Sequence, residues 1–147
     1  MVLDATETLL IEHACARLVS EYCHLVDHDQ ASKVAGLFTD DGLWTSPDTT
    51  LTGRVEIERG FTRREQNHRR MSRHICSNLL IEVLDETTAR GVVYLTLYRH
   101  DGEEGRSSSP IGPPAFIGEY RDEFRKTPEG WRFKRRETRV AFAQPRT

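Results

Sequence analysis

The 147 residues are 37% hydrophobic and 30% charged, with a formal net charge of −2. That length holds one hydrophobic core, so a single domain over 1–147 is expected. The charge balance gives no general pull toward nucleic acid, and no apolar run approaches the roughly 20 residues of a membrane span. The start, "MVLDATETLL", is acidic and too short in apolar length for a secretion signal, so the expected address is cytoplasmic. Three cysteines, Cys15, Cys23 and Cys76, with no CxxC spacing, argue against a disulfide framework or a structural zinc site.

The first predicted element is a helix. Ile11, Ala14, Cys15, Leu18, Tyr22, Leu25 and Val26 form one apolar stripe, with Thr6 or Thr8 as the expected cap. The stripe stops at "DHDQ", where Asp29 is the expected N-cap of a short second helix carrying Ala31, Val34, Ala35 and Phe38. "TDDG" at 39–42 reads as a turn and "LWTS" as a short strand. A third helix follows, with Val55, Ile57 and Phe61 as its apolar positions. The basic runs at 63–73 and 132–139 read as solvated faces.

The second half is strand-rich. Segments 74–84, 88–99, 115–126 and 131–142 read as strands, broken by "DETT", "HDGEEGRSSSPIGPP" and "TPEG". Short links imply antiparallel pairing. Helices first and strands afterwards is the α+β pattern. A long sheet with few helices must curl, and helices over its open side leave a cavity.

Chemistry gathers at "RHICSN". Alternation puts Ile75, Ser77, Leu79, Ile81 and Val83 on one face, and His74, Cys76, Asn78, Leu80 and Glu82 on the other. Histidine, with an ordinary pKa of about 6.5, exchanges protons near neutrality. A carboxylate improves it as a base by fixing its tautomer and stabilising its cation. Asp27, at the end of the first helix, is the candidate carboxylate. It lies about 140° around an ideal helix from Tyr22, so it must point inward from the finished helix end. Tyr22 reads equally as a core aromatic or as a phenol offered to a substrate oxygen; Trp44, Phe61 and Tyr94 are expected apolar walls of core or pocket. His24 and His28 have metal-like spacing, but no third ligand is evident and no metal is expected.

The segments "EYCHLVDHDQASKVAGLFTDDGLWTSP", "GRVEIERGF", "RHICSN" and "GEYRDEFRKTPEGWRFKRRET" resemble, in that order, the SnoaL-like branch of the nuclear transport factor 2-like superfamily. The resemblance implies a cone of strongly curved, mixed or antiparallel sheet, with about three N-terminal helices over an internal pocket. It is similar in particular to scytalone dehydratase, bile-acid dehydratase and hexachlorocyclohexane dehydrochlorinase. That likeness implies an Asp–His pair at Asp27 and His74, a catalytic tyrosine matched by Tyr22, and no cofactor. It also implies an assisting late-strand arginine. Arg121, Arg135, Arg136 and Arg139 are open for that role, and Arg135 stands with Asn78 among the substrate-binding candidates.

The expected function is cofactor-independent proton abstraction on a hydrophobic, polyketide- or steroid-like molecule, giving dehydration, isomerisation or cyclisation. The rival expectation is a non-catalytic ligand-binding or subunit protein of the same fold, as in the β subunits of ring-hydroxylating dioxygenases. Epoxide hydrolysis ranks below both, since Asp27 and Asn78 supply too few groups around a water. The expected partner is a hydrophobic small molecule, with no nucleic acid or membrane, in a homodimer or homotrimer.

Overall fold

A computed structural model describes residues 2–145 of the chain. Helix α1 spans Ala5–Asp27, a 3₁₀ helix Ala31–Leu37, strand β1 Phe38–Ser46, β2 Thr49–Thr52 and helix α2 Arg54–Gln66. Strands β3 (Arg70–Val83), β4 (Thr88–Asp101), β5 (Phe116–Thr127) and β6 (Gly130–Ala143) follow. The six strands form one sheet in the order β2-β1-β6-β5-β4-β3. All pairs are antiparallel except β1 with β6, which is parallel. The sheet is thus mixed, and it curls without closing. α1 packs along β3 and β6, and α2 against β1 and β2, which covers the concave side. No helix among the described residues is long and apolar enough to cross a membrane.

Local chemistry explains most element boundaries. α1 starts at Asp4, not at either threonine. The Asp4 carboxylate accepts from the Glu7 backbone N–H, and the Glu7 carboxylate accepts from the Asp4 N–H. This reciprocal box satisfies two otherwise orphaned donors. Along the helix, Ile11, Cys15, Leu18, Tyr22 and Val26 are buried at helical spacing. Asp29 is not an N-cap; it takes a left-handed φ of 61° in the turn, and Gln30 precedes the 3₁₀ helix. In α2, Ile57 and Phe61 are buried while Val55 is 70% exposed.

The expected turn at 39–42 is a correction. These residues belong to β1, which slips its register against β6 between Phe38 and Leu43. The turn-forming residues mark that irregularity. Asp40 and Asp41 point to solvent, where Arg54 and Lys134 pair with them.

A second irregularity changes which side chains face inward. The β3–β4 register shifts between Ser77 and Leu80, and Asn78 sits there with a φ of 56°. Asparagine tolerates this region better than most residues. One extra residue reverses the alternation beyond it. Ser72, His74 and Cys76 therefore share the inner face with Ile81 and Val83, while Leu80 and Glu82 turn outward. β6 does the same against β5 between Phe133 and Arg135. Phe133 and Arg136 both point in, and Arg135 points out. At the next β5–β6 slip, a Cβ on Gly118 would collide with the Arg139 carbonyl, so only glycine fits there.

The convex face carries an apolar row. Ile75, Thr96, Ile117 and Phe142 lie in register across β3 to β6, with Ile75 and Phe142 exposed. The segment between β4 and β5 is tied down by Arg106. Its guanidinium donates to the carbonyls of Arg69, His100 and Glu103 and to the Ser109 hydroxyl.

Candidate active site

The last residue of α1 and the third inward position of β3 meet beneath the sheet. Asp27 Oδ1 lies 2.6 Å from His74 Nδ1, and Asp27 Oδ2 accepts from the His74 backbone N–H at 2.8 Å. Ser72, one inward position earlier, donates its hydroxyl to Asp27 Oδ1 at 2.7 Å. Three donors thus converge on one carboxylate. The side chains are 5% exposed for Asp27 and 11% for His74. Burial alone would raise the Asp27 pKa; the bonds and charge from His74 and the Ser72 bond outweigh it and hold the carboxyl below its ordinary value. The pair fixes a proton on Nδ1. Nε2 has no hydrogen-bond partner among the described residues.

His74 lines a cavity of about 640 Å³ that runs between the helices and the concave sheet. Tyr22, Trp44 and Phe61 line it too, so these three candidates share the space with His74. Tyr22 is 2% exposed, and its ring centroid lies 6.3 Å from the His74 ring. Trp44 Nε1 donates to the Tyr22 hydroxyl at 3.0 Å. The phenol already accepts one bond, so its own proton remains to be donated. Burial, against the pull of Arg136, pushes its pKa up to about 12, which keeps it a phenol.

Three other candidates lie elsewhere. Asn78 is exposed at the β3 bulge, because the extra residue there ends the inward run at Cys76. Tyr94 is 53% exposed on the convex face, at an outward position of β4 between Ser77 and Glu119. Arg135 is also outward, paired with Glu137 beside a separate shallow depression on the outer sheet. These are corrections: bulges that carry no strong sequence mark reset the parity at Asn78 and Arg135, while Tyr94 faces outward by unbroken alternation along β4.

The late-strand arginine that enters the interior is Arg136. It is wholly buried and makes a two-pronged bond to buried Asp122, at 2.8 and 3.0 Å. Its guanidinium carbon sits 4.4, 3.8 and 4.5 Å from the ring centres of Tyr22, Tyr120 and Phe133. Burial would lower the Arg136 pKa, but Asp122 raises it further, so the cation persists. A cation against the phenol of Tyr22 strengthens that phenol as a donor. Tyr120, also lining the cavity, was missed in the sequence; its inward alternation with Asp122 and Phe124 was the available signal.

Other groups near the site are quieter. Cys23 and Cys76 bring their sulfurs to 3.5 Å, where the hydrogen bond and burial raise Cys23 and the same bond lowers Cys76. His24 and His28 stack on the exposed side of α1. No cluster of three metal-ligating side chains occurs among the described residues. None of the residues 102–115 lines the cavity.

The fold recurs in solved structures. A protein provisionally named as a scytalone dehydratase from Novosphingobium aromaticivorans superposes with a TM-score of 0.79 at 23% identity, over 95% of this chain and 89% of that one. The LinA-type3 hexachlorocyclohexane dehydrochlorinase of Novosphingobium barchaimii gives 0.77 at 19% identity, over 97% and 94%. A protein of unknown function with a cystatin-like fold from Nostoc punctiforme gives 0.75 at 22%, over 96% of both chains. At these identities the likeness is one of fold. A comparison with curated proteins finds no match. A family model described as a SnoaL-like domain matches residues 7–137, and the chain belongs to that family.

Proposed function

We propose that the protein is an enzyme that removes a proton from carbon in an apolar substrate, with His74 as the base. Asp27 orients the ring and balances its charge after the proton is taken. Tyr22 donates to the substrate oxygen where negative charge develops. The same proton, returned by His74 to a leaving hydroxyl or to another carbon, completes a dehydration, an isomerisation or a ring closure. The relatives named above include a dehydrochlorinase, whose name denotes an elimination, and this supports the class of reaction.

The observation that carries the proposal is the 2.6 Å Asp27–His74 contact at the wall of the cavity, with Nε2 left without a partner among the described residues. The test is turnover of a panel of β-hydroxy ketones, polycyclic and polyketide-like, read by enone absorbance and by deuterium wash-in from heavy water. A substrate found in this way should lose about a hundredfold or more in rate in His74→Ala. Parent-rate turnover by that variant would remove the mechanism.

The same proposal includes self-association through the convex face, where Ile75, Tyr94 and Phe142 are exposed. A monomer in sedimentation equilibrium at tens of micromolar would refute that part.

A further inference from the structure

The mouth of the cavity is basic, and the proton-transfer device makes no use of most of that charge. Arg63 and Arg64 come from the last turn of α2, Arg70 from the start of β3 and Arg99 from β4; all four line the cavity. Strand register gathers them. Arg99 stands opposite Ser72, and Arg70 opposite Asp101. Arg70, Ser72 and His74 alternate onto one face. Along the strand, the backbone at Arg99 is therefore about 7 Å from that at His74, and the backbone at Arg70 about 13 Å.

These cations are poorly neutralised. Arg70 makes a two-pronged pair with Asp101. Arg64 donates to the Ser72 hydroxyl at 3.0 Å but meets no carboxylate among the described residues. Arg63 and Arg99 have no acidic partner among the described residues. Asp48, in the β1–β2 turn, is the one acidic residue lining the cavity among those described. Burial first, and then repulsion from Arg70, lowers the pKa of both Arg64 and Arg99. An anion lodged among them would relieve that repulsion. Deeper in, Val26, Trp44, Phe61, Leu97 and Phe116 make an apolar wall.

We propose that the cavity takes an amphipathic anion, with its apolar body on that wall and a carboxylate or phosphate held by Arg99, Arg64 and Arg63. Guanidinium groups suit such oxyanions because their donors fork in one plane. This deepens the proton-transfer reading by naming the class of substrate, and it is tested by binding instead of turnover.

Calorimetry at low salt compares naphthaleneacetate, naphthyl phosphate and the neutral naphthaleneacetamide. At least one anion should bind about tenfold more tightly than the amide, and the better anion tells carboxylate from phosphate. Raising the salt should erode the preference. The double variant Arg63→Gln, Arg99→Gln should bring anion and amide to within about twofold, while Arg90→Gln on the convex face should leave the preference intact. His74→Gln should keep the preference even though turnover is lost, so failure of the chemistry and failure of this site are told apart. Equal affinity for amide and anions overturns the proposal, as does absence of saturable binding by either anion. A preference that survives in the double variant, or disappears in Arg90→Gln, also overturns it. Should the double variant not fold, the salt dependence and the three probes on the parent decide.

Discussion

Two acid–base pairs lie in this interior, and they are built differently. Asp122–Arg136 is sealed: both side chains are fully buried, both carboxylate oxygens are engaged, and aromatic rings surround the cation. Asp27–His74 is sealed on one side only. Three donors hold the carboxylate, yet the imidazole keeps one nitrogen unbonded at a cavity wall. A sealed pair can set the field around Tyr22 but cannot exchange a proton with a ligand. The half-open pair can.

The sealed pair should yield the largest stability effect. Arg136→Met leaves Asp122 buried and unpaired, and should cost about 3–5 kcal/mol in urea denaturation. The double variant with Asp122→Leu should recover much of that loss, because no orphan charge remains. If the single and double variants were equally unstable, packing against the rings would outweigh the ion pair.

The half-open pair should respond in rate more than in stability. In Asp27→Asn an amide N–H must face either the His74 ring or its backbone N–H, so one of the two bonds to His74 is lost together with the charge that balances the imidazolium. Turnover should fall about a hundredfold, with a change in urea midpoint worth about 1–2 kcal/mol. An unchanged rate would mean that the carboxylate is only a structural cap on β3.

Acid separates the pairs again. Asp27 is held below its ordinary pKa in the folded state, so its bonds contribute stability above the unfolded value of about 3.9. That contribution is lost as pH falls through the lower, folded value. Between pH 6 and pH 3 the parent should therefore lose more stability than Asp27→Asn, whose side chain does not titrate. Parallel pH profiles would contradict the depressed pKa.

The smallest effect belongs to the link between the pairs. Tyr22→Phe removes one donor while keeping the ring beside Arg136, and should slow turnover about tenfold, seen in kcat more than in KM.

Periodicity made α1 and the four long strands legible, because burial on one face imposes a repeat. It also made Asp27 legible as a helix end, since a carboxylate off the apolar stripe can face inward only there. The bulges were not legible. Asn78 looks like any strand polar residue, and nothing in "RFKRRETR" says that Arg136 and not Arg135 turns inward; only pairing with a partner strand decides. The basic run at 63–73, expected as a solvated face, splits between α2 and β3, and Arg64 and Arg70 line the cavity. The missed signal was local. Alternation back from His74 puts Arg70 and Ser72 on its face.

The bend at Asn78 has an evolutionary corollary. Loss of that single codon would restore unbroken pairing and leave Ile81 and Val83 facing inward, because their separation from Cys76 becomes even and Leu80 keeps its place opposite Val92. Ser72, His74 and Cys76 precede the bend and would keep their aim at the end of α1. Such a scaffold can take up or drop one residue at the bend while both halves of the strand keep their faces, the part that grips Asp27 included.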